Sequence, residues 1–214
     1  MALEIKICGI TNGEDARAAV ALGVDYLGFV LYPKSPRAVT AERVKQVLDE
    51  LDAPCKAIGV FVNSSREEVE AAVDACGLWA AQIHGDETAE MFAESPVRLW
   101  RALKMMPTGP EPNPSGWAAE RYVVDAAVPG AYGGTGVTAD WESARDVARG
   151  CPVLLAGGLT RENVAVAIRS VRPLGVDVSS GVELGKGKKD HARMEAFVAQ
   201  ARKAAARGYG YAEN

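Results

Sequence analysis

The chain has 214 residues, 48% of them hydrophobic, enough to bury the core of one full-sized domain. Its 24 Lys and Arg against 28 Asp and Glu give a formal charge of -4, without the basic excess that marks nucleic-acid or anionic-membrane binding. Four cysteines, Cys8, Cys55, Cys76 and Cys151, stand too far apart for the ligand spacing of a structural zinc site, and no uninterrupted apolar segment reaches membrane-spanning length.

The first apolar run, near residues 3–8, predicts a strand, and the amphipathic segment 14–22 predicts the helix after it. A second strand near 25–31 leads to a helix over 41–51, and a third near 56–62 leads to a helix over 66–76. Strands near 79–83 and 97–103 follow. Residues 105–116 contain four prolines and leave room only for a loop or short turn before the strand at 121–125. A helix over 141–149, a strand near 152–156, a helix over 162–171 and a strand near 175–178 complete the series, and the tail from 208 is expected to fray.

Alternating strands and helices imply a parallel sheet, because each crossover returns the chain to the edge it started from. Eight such units close as a single-domain (β/α)8 TIM barrel; the rival open sheet lacks a Gly-x-Gly-x-x-Gly after its first strand. Strand parity then sorts the side chains. Leu3, Ile5 and Ile7 pack outward on helices, while Glu4, Lys6 and Cys8 point into the barrel, with Cys8 at the upper rim. A buried Lys6 needs an opposite charge, for which Asp177 is the first candidate and Glu4 the second.

Active sites of such barrels gather at the C-terminal ends of the strands. Four clusters fall there: Lys6-Ile7-Cys8-Gly9-Ile10-Thr11; Tyr32-Pro33-Lys34-Ser35-Pro36-Arg37; Asp125 with the glycine-rich lid candidate Gly130 to Gly136; and Ala156-Gly157-Gly158-Leu159-Thr160 joined to Ser179-Ser180-Gly181-Val182-Glu183. Glycines in the last cluster let backbone amides approach an anion, as in the phosphate corner of these barrels. Taken singly, each has a plain reading. Cys8 can be a small buried hydrophobe, Asp125 a cap, Arg37 the partner of a surface carboxylate, and the glycines mere turns. His84 reads as a hydrogen-bonded core histidine, and His191 with Asp190 as the opening of the last helix.

Taken together, these blocks, with Gly28-Phe29-Val30, Gly59-Val60-Phe61-Val62-Asn63 and Gln82-Ile83-His84-Gly85, resemble the phosphoribosylanthranilate isomerase family from Ile5 to about Phe197. The resemblance implies an Amadori rearrangement of N-(5-phosphoribosyl)anthranilate in tryptophan biosynthesis, without cofactor or metal. By matching positions it implies Cys8 as general base, Asp125 as general acid, Arg37 as holder of the anthranilate carboxylate, and Gly157, Gly158, Ser180 and Gly181 as holders of the phosphate. A Cys8 thiolate would need support from Arg37 or nearby amides.

Two positions depart from the family pattern: Ala139, where an aromatic residue is common, and Lys186, where proline is typical. The first loosens lid packing and the second softens the turn after strand eight, with an added positive charge near the phosphate corner. The resemblance further implies a monomer or homodimer acting on a small phosphorylated substrate, with neither nucleic acid nor membrane as partner. With no charged leader or apolar h-region at Met1-Ala2-Leu3-Glu4, a cytoplasmic protein with reduced thiols is expected. The competing readings are a dual-substrate aminoaldose isomerase that also serves histidine synthesis, against which the cysteine argues, and a non-catalytic phosphate-ligand barrel.

Overall fold

The computed structural model describes residues 2–106, 108–125 and 141–208. Eight parallel strands form a closed barrel: β1 (Glu4–Cys8), β2 (Tyr26–Val30), β3 (Lys56–Phe61), β4 (Ala80–Ile83), β5 (Leu99–Met106), β6 (Arg121–Asp125), β7 (Val153–Leu155) and β8 (Gly175–Val178). Each pairs with its neighbours in sequence, and β8 pairs back onto β1 with Lys6 opposite Asp177. The fold is the predicted (β/α)8 barrel.

Helices α1 (Gly13–Ala21), α2 (Ala41–Asp49), α3 (Arg66–Cys76), α4 (Trp141–Gly150), α5 (Val164–Val171) and α6 (His191–Gly208) follow strands one, two, three, six, seven and eight. Their starts obey local chemistry. Asn12, Thr40 and Ser65 each accept a backbone N–H of the first turn, and Ser65 with Glu68 completes a capping box. Gly77 closes α3 in the left-handed conformation, where a side chain would be strained.

After β4 the crossover holds only a 3₁₀ turn, Ala89–Phe92. After β5 a short antiparallel strand, Gly109–Glu111, folds back onto the extended end of β5 and is followed by the turn Pro114–Gly116. Proline density therefore removes the fifth helix, as expected, while β5 runs three residues past its predicted end because this return strand pairs with it.

Two hydrophobic regions result. The larger lies between sheet and helices and contains Ile5, Ile7, Leu27, Phe29, Ile83, Leu103 and Val124 with the inner faces of the helices. The smaller fills the barrel: Tyr26, Ile58, Ala80, Trp100, Val123, Leu154 and Ala156, with the Tyr26 and Trp100 rings packed edge to face at 4.7 Å. Each large side chain in either region contributes roughly 1.5–3 kcal/mol through burial.

The polar face of β1 crosses this interior. Near the floor, Glu4 receives Arg121 at 2.8 and 3.0 Å. One layer up, Lys6 is wholly buried and donates to Asp177 Oδ2 at 2.8 Å and to Gln82 Oε1 at 3.0 Å. Asp177 is thus its counter-charge, and Glu4 is committed elsewhere. The apolar cluster and this ion pair fill the barrel interior beneath the upper rim.

Candidate active site

The upper rim holds a cavity of about 390 Å³. Cys8, Arg37, Asp125, Gly157, Gly158 and Ser180 all line it, drawn from the ends of strands one, two, six, seven and eight. Gly181 does not line it. A Cβ on Gly181 would collide with the Leu159 carbonyl, so glycine there lets the two phosphate-corner loops pack together. Gly157 and Gly158 have φ of 81° and 66°, conformations that turn the chain sharply after β7 at little cost only without a side chain.

Cys8 ends β1 opposite Gly28, and the absence of a side chain at Gly28 makes room for both the Cys8 sulfur and the Lys6 stem. Burial raises the Cys8 thiol above its ordinary value. Lys6 and Lys189 oppose that rise and Asp177 adds to it. The expected attraction between Arg37 and a Cys8 thiolate is present, the two lysines add to it, and burial still outweighs them.

Arg37 is buried, not paired at the surface. Its Nε and Nη2 donate to the two carboxylate oxygens of Glu183 at 2.8 and 2.7 Å. Lys189, 2% exposed, donates to Glu183 Oε1 at 2.9 Å, to the Cys8 carbonyl at 2.6 Å and to the Ser179 carbonyl at 3.2 Å. Burial alone would raise the Glu183 carboxyl, yet Arg37 and Lys189 together bring it below its ordinary value. This triad fixes the guanidinium plane and leaves Nη1 outside the Glu183 fork.

Neither Glu183 nor Lys189 has a role in the sequence reading, although Glu183 ends one of the motif segments quoted there and Lys189 follows six residues later. The signal was chemical and faint: a Lys and a Glu six residues apart across a short hairpin, Glu183–Gly185 with Lys188–Lys189. The turn of that hairpin contains Lys186, which is exposed and lies outside the cavity lining. Gly187 takes φ of 79° there and its carbonyl accepts from the Thr11 hydroxyl, so the turn is tied to the loop after β1 without a proline.

His84 is not a core residue. It stands just beyond β4 between the main cavity and a second hollow beside β5, with Nε2 3.6 Å from Asp125 Oδ2 and Nδ1 2.9 Å from Gln82 Nε2. His191 does open α6, where Asp190 Oδ1 accepts the Arg193 N–H, while its ring bonds to buried Asp15 at 2.8 Å. The lid candidate Gly130 to Gly136 and the departure at Ala139 lie outside the described residues.

The family model for N-(5'-phosphoribosyl)anthranilate (PRA) isomerase matches residues 5–200. The chain belongs to the phosphoribosylanthranilate isomerase family. It is 42% identical over 196 residues to the Pelobacter propionicus N-(5'-phosphoribosyl)anthranilate isomerase, covering 92% of this chain and 94% of that protein. The crystal structure of the Thermotoga maritima phosphoribosylanthranilate isomerase superposes with a TM-score of 0.82 at 36% identity, covering 94% and 99% of the two chains. A phosphoribosylanthranilate isomerase in complex with reduced 1-(o-carboxyphenylamino)-1-deoxyribulose 5-phosphate superposes at 0.77 with 33% identity, covering 94% and 99%.

Proposed function

We propose that this rim cavity converts N-(5-phosphoribosyl)anthranilate to 1-(2-carboxyphenylamino)-1-deoxyribulose 5-phosphate by general acid and base catalysis, as a step of tryptophan biosynthesis. The observation that carries this reading is the convergence of a thiol, a carboxyl, a guanidinium and a glycine-rich corner on one cavity in a member of this family. Aldose-ketose isomerisation of this kind needs an acid to open the sugar ring and a base to move the proton from C2, the two roles a carboxyl and a thiol can fill.

In this reading Asp125 gives its proton to the furanose ring oxygen. The bond from that oxygen to C1 breaks as the anilino nitrogen lone pair forms the C=N of an iminium. Cys8 thiolate then takes the C2 proton, and the C2–H electron pair forms C1=C2 while the C=N pair returns to nitrogen. The resulting enolamine tautomerises by protonation at C1, with loss of the C2 hydroxyl proton, to give the ketone. Arg37 receives the anthranilate carboxylate, and Gly157, Gly158, Ser180 and Gly181 form the phosphate corner.

No helix among the described residues is long and apolar enough to cross a membrane; a cytoplasmic location and a monomeric or homodimeric state are parts of the proposal. Incubating the purified protein with N-(5-phosphoribosyl)anthranilate and identifying the ketose product by chromatography and mass tests the proposal. A second incubation with the aminoaldose of histidine synthesis separates it from a dual-substrate enzyme: turnover of the first alone is expected.

A further inference from the structure

Lys6, Gln82 and His84 form a chain of directed hydrogen bonds whose far end, His84 Nε2, faces Asp125 across 3.6 Å. An ammonium has only donors, so Lys6 Nζ, 3.0 Å from the Gln82 side chain, dictates that the amide oxygen faces it. The NH2 end must then face His84, and at 2.9 Å it requires a lone pair on Nδ1. A neutral ring with a bare Nδ1 carries its proton on Nε2, the atom 3.6 Å from Asp125 Oδ2. Imidazolium would set an N–H against the amide NH2. Arg101 pins the backbone on either side of the ring, donating to the Ile83 carbonyl at 2.7 Å and to the Gly85 carbonyl at 2.8 Å.

We propose that Gln82, oriented by Lys6, is a positioning residue that holds His84 as the neutral Nε2–H tautomer, so that the imidazole orients Asp125 without supplying a positive charge that would strip its proton. This rests on the reading of Asp125 as the general acid. The charged groups around His84 act in the same direction on balance. Burial first, then Lys6 on β1 and Arg101 and Lys104 on β5, bring the imidazole down to about 4 against an opposing pull from Asp177 on β8. Asp125 on β6 faces Nε2 itself.

The chain has only two histidines, so His191→Gln leaves His84 as the single ring to observe. Nitrogen NMR of ring-labelled H191Q is expected to show a pyridine-type Nδ1 and a pyrrole-type Nε2, unchanged from pH 5.5 to 8, a range of roughly neutral conditions around the ordinary histidine value. Adding Gln82→Glu supplies an acceptor to Nδ1, and is expected to move the proton to Nδ1 or bring ring titration into that range. In the same variant kcat is expected to fall about tenfold to a hundredfold with KM within about twofold, as part of the roughly 10²–10⁴ available from a general acid. Gln82→Met, which removes the donor without adding charge, should give mixed tautomers and an intermediate kcat, and serves if Q82E does not fold. A protonated Nδ1 in H191Q near pH 7, or a changed tautomer with unchanged kcat, overturns the proposal. If H191Q shows the expected tautomer but D125N turns over normally, the acid assignment fails instead, and the two failures are distinct.

Discussion

Arg37 and Glu183 meet through two parallel hydrogen bonds of 2.8 and 2.7 Å, both side chains buried beside the cavity. The Glu183 carboxylate also holds Lys189, so one negative charge serves two cations in a site shielded from solvent. Bidentate geometry sets the guanidinium's plane as well as its charge.

Glu183→Gln leaves Arg37 and Lys189 without their shared counter-charge and should lower stability by about 3 kcal/mol at pH 7. The Glu183 carboxyl sits below its ordinary value of 4.5 in the folded protein, so its contribution is present above that pH and disappears as pH falls through the folded value. Urea unfolding at a series of pH values should therefore show the gap between wild type and E183Q closing below about pH 4.5. A gap that stays constant to pH 3 would contradict the charge-pair account.

With Nε and Nη2 engaged by Glu183, the remaining edge of Arg37 is the part offered to a ligand carboxylate. Arg37→Ala should raise KM about 10- to 100-fold, the span of one lost charged hydrogen bond, and lower kcat as orientation is lost. Steady-state kinetics decide it, since a defect in kcat with KM unchanged would exclude direct contact with the substrate carboxylate.

The raised Cys8 thiol has a kinetic signature. A base must be deprotonated to act, so the fraction of active enzyme climbs with pH until the thiol titrates. Because burial places that event above the ordinary cysteine value of 9.0, kcat/KM should still be rising with pH between 7 and 9 wherever thiolate formation controls it. A profile flat across that interval would show that Cys8 does not titrate in the controlling step. As a base and not a nucleophile, Cys8 should also carry no substrate adduct in intact-mass spectra of enzyme quenched during turnover.

Lys6 and Asp177 test the barrel interior apart from chemistry. Lys6→Met strands a buried carboxylate and should cost about 3–5 kcal/mol, whereas adding Asp177→Asn should recover a large part of it. Thermal or urea unfolding of both singles and the double gives the coupling; additivity within about 0.5 kcal/mol would deny the pairing.

Much of this architecture was legible in the sequence because two periodicities carry it. Alternation on β1 places Lys6 and Cys8 inside, and their contacts with Asp177 and the cavity follow from that parity. Proline spacing likewise announces the missing helix after β5. What parity cannot supply is which polar groups meet once inside. Glu183 reaches Arg37 across 146 residues of sequence, and Lys189 binds the Cys8 carbonyl across 181. No local pattern encodes those distances, since they depend on barrel closure. His84, which the sequence reads as a hydrogen-bonded core histidine, keeps its hydrogen bond to Gln82 but stands just past the end of β4, where the interior becomes the cavity.

The most direct measurement follows anthranilate-substrate fluorescence during incubation of N-(5-phosphoribosyl)anthranilate with the purified protein, beside the Asp125→Asn and Cys8→Ala variants. The account predicts rapid loss of fluorescence with the wild type, and rates about 10²- to 10⁴-fold lower for each variant with KM little changed. Binding of the substrate by the wild-type protein with fluorescence undiminished, or a D125N rate equal to wild type, would contradict it.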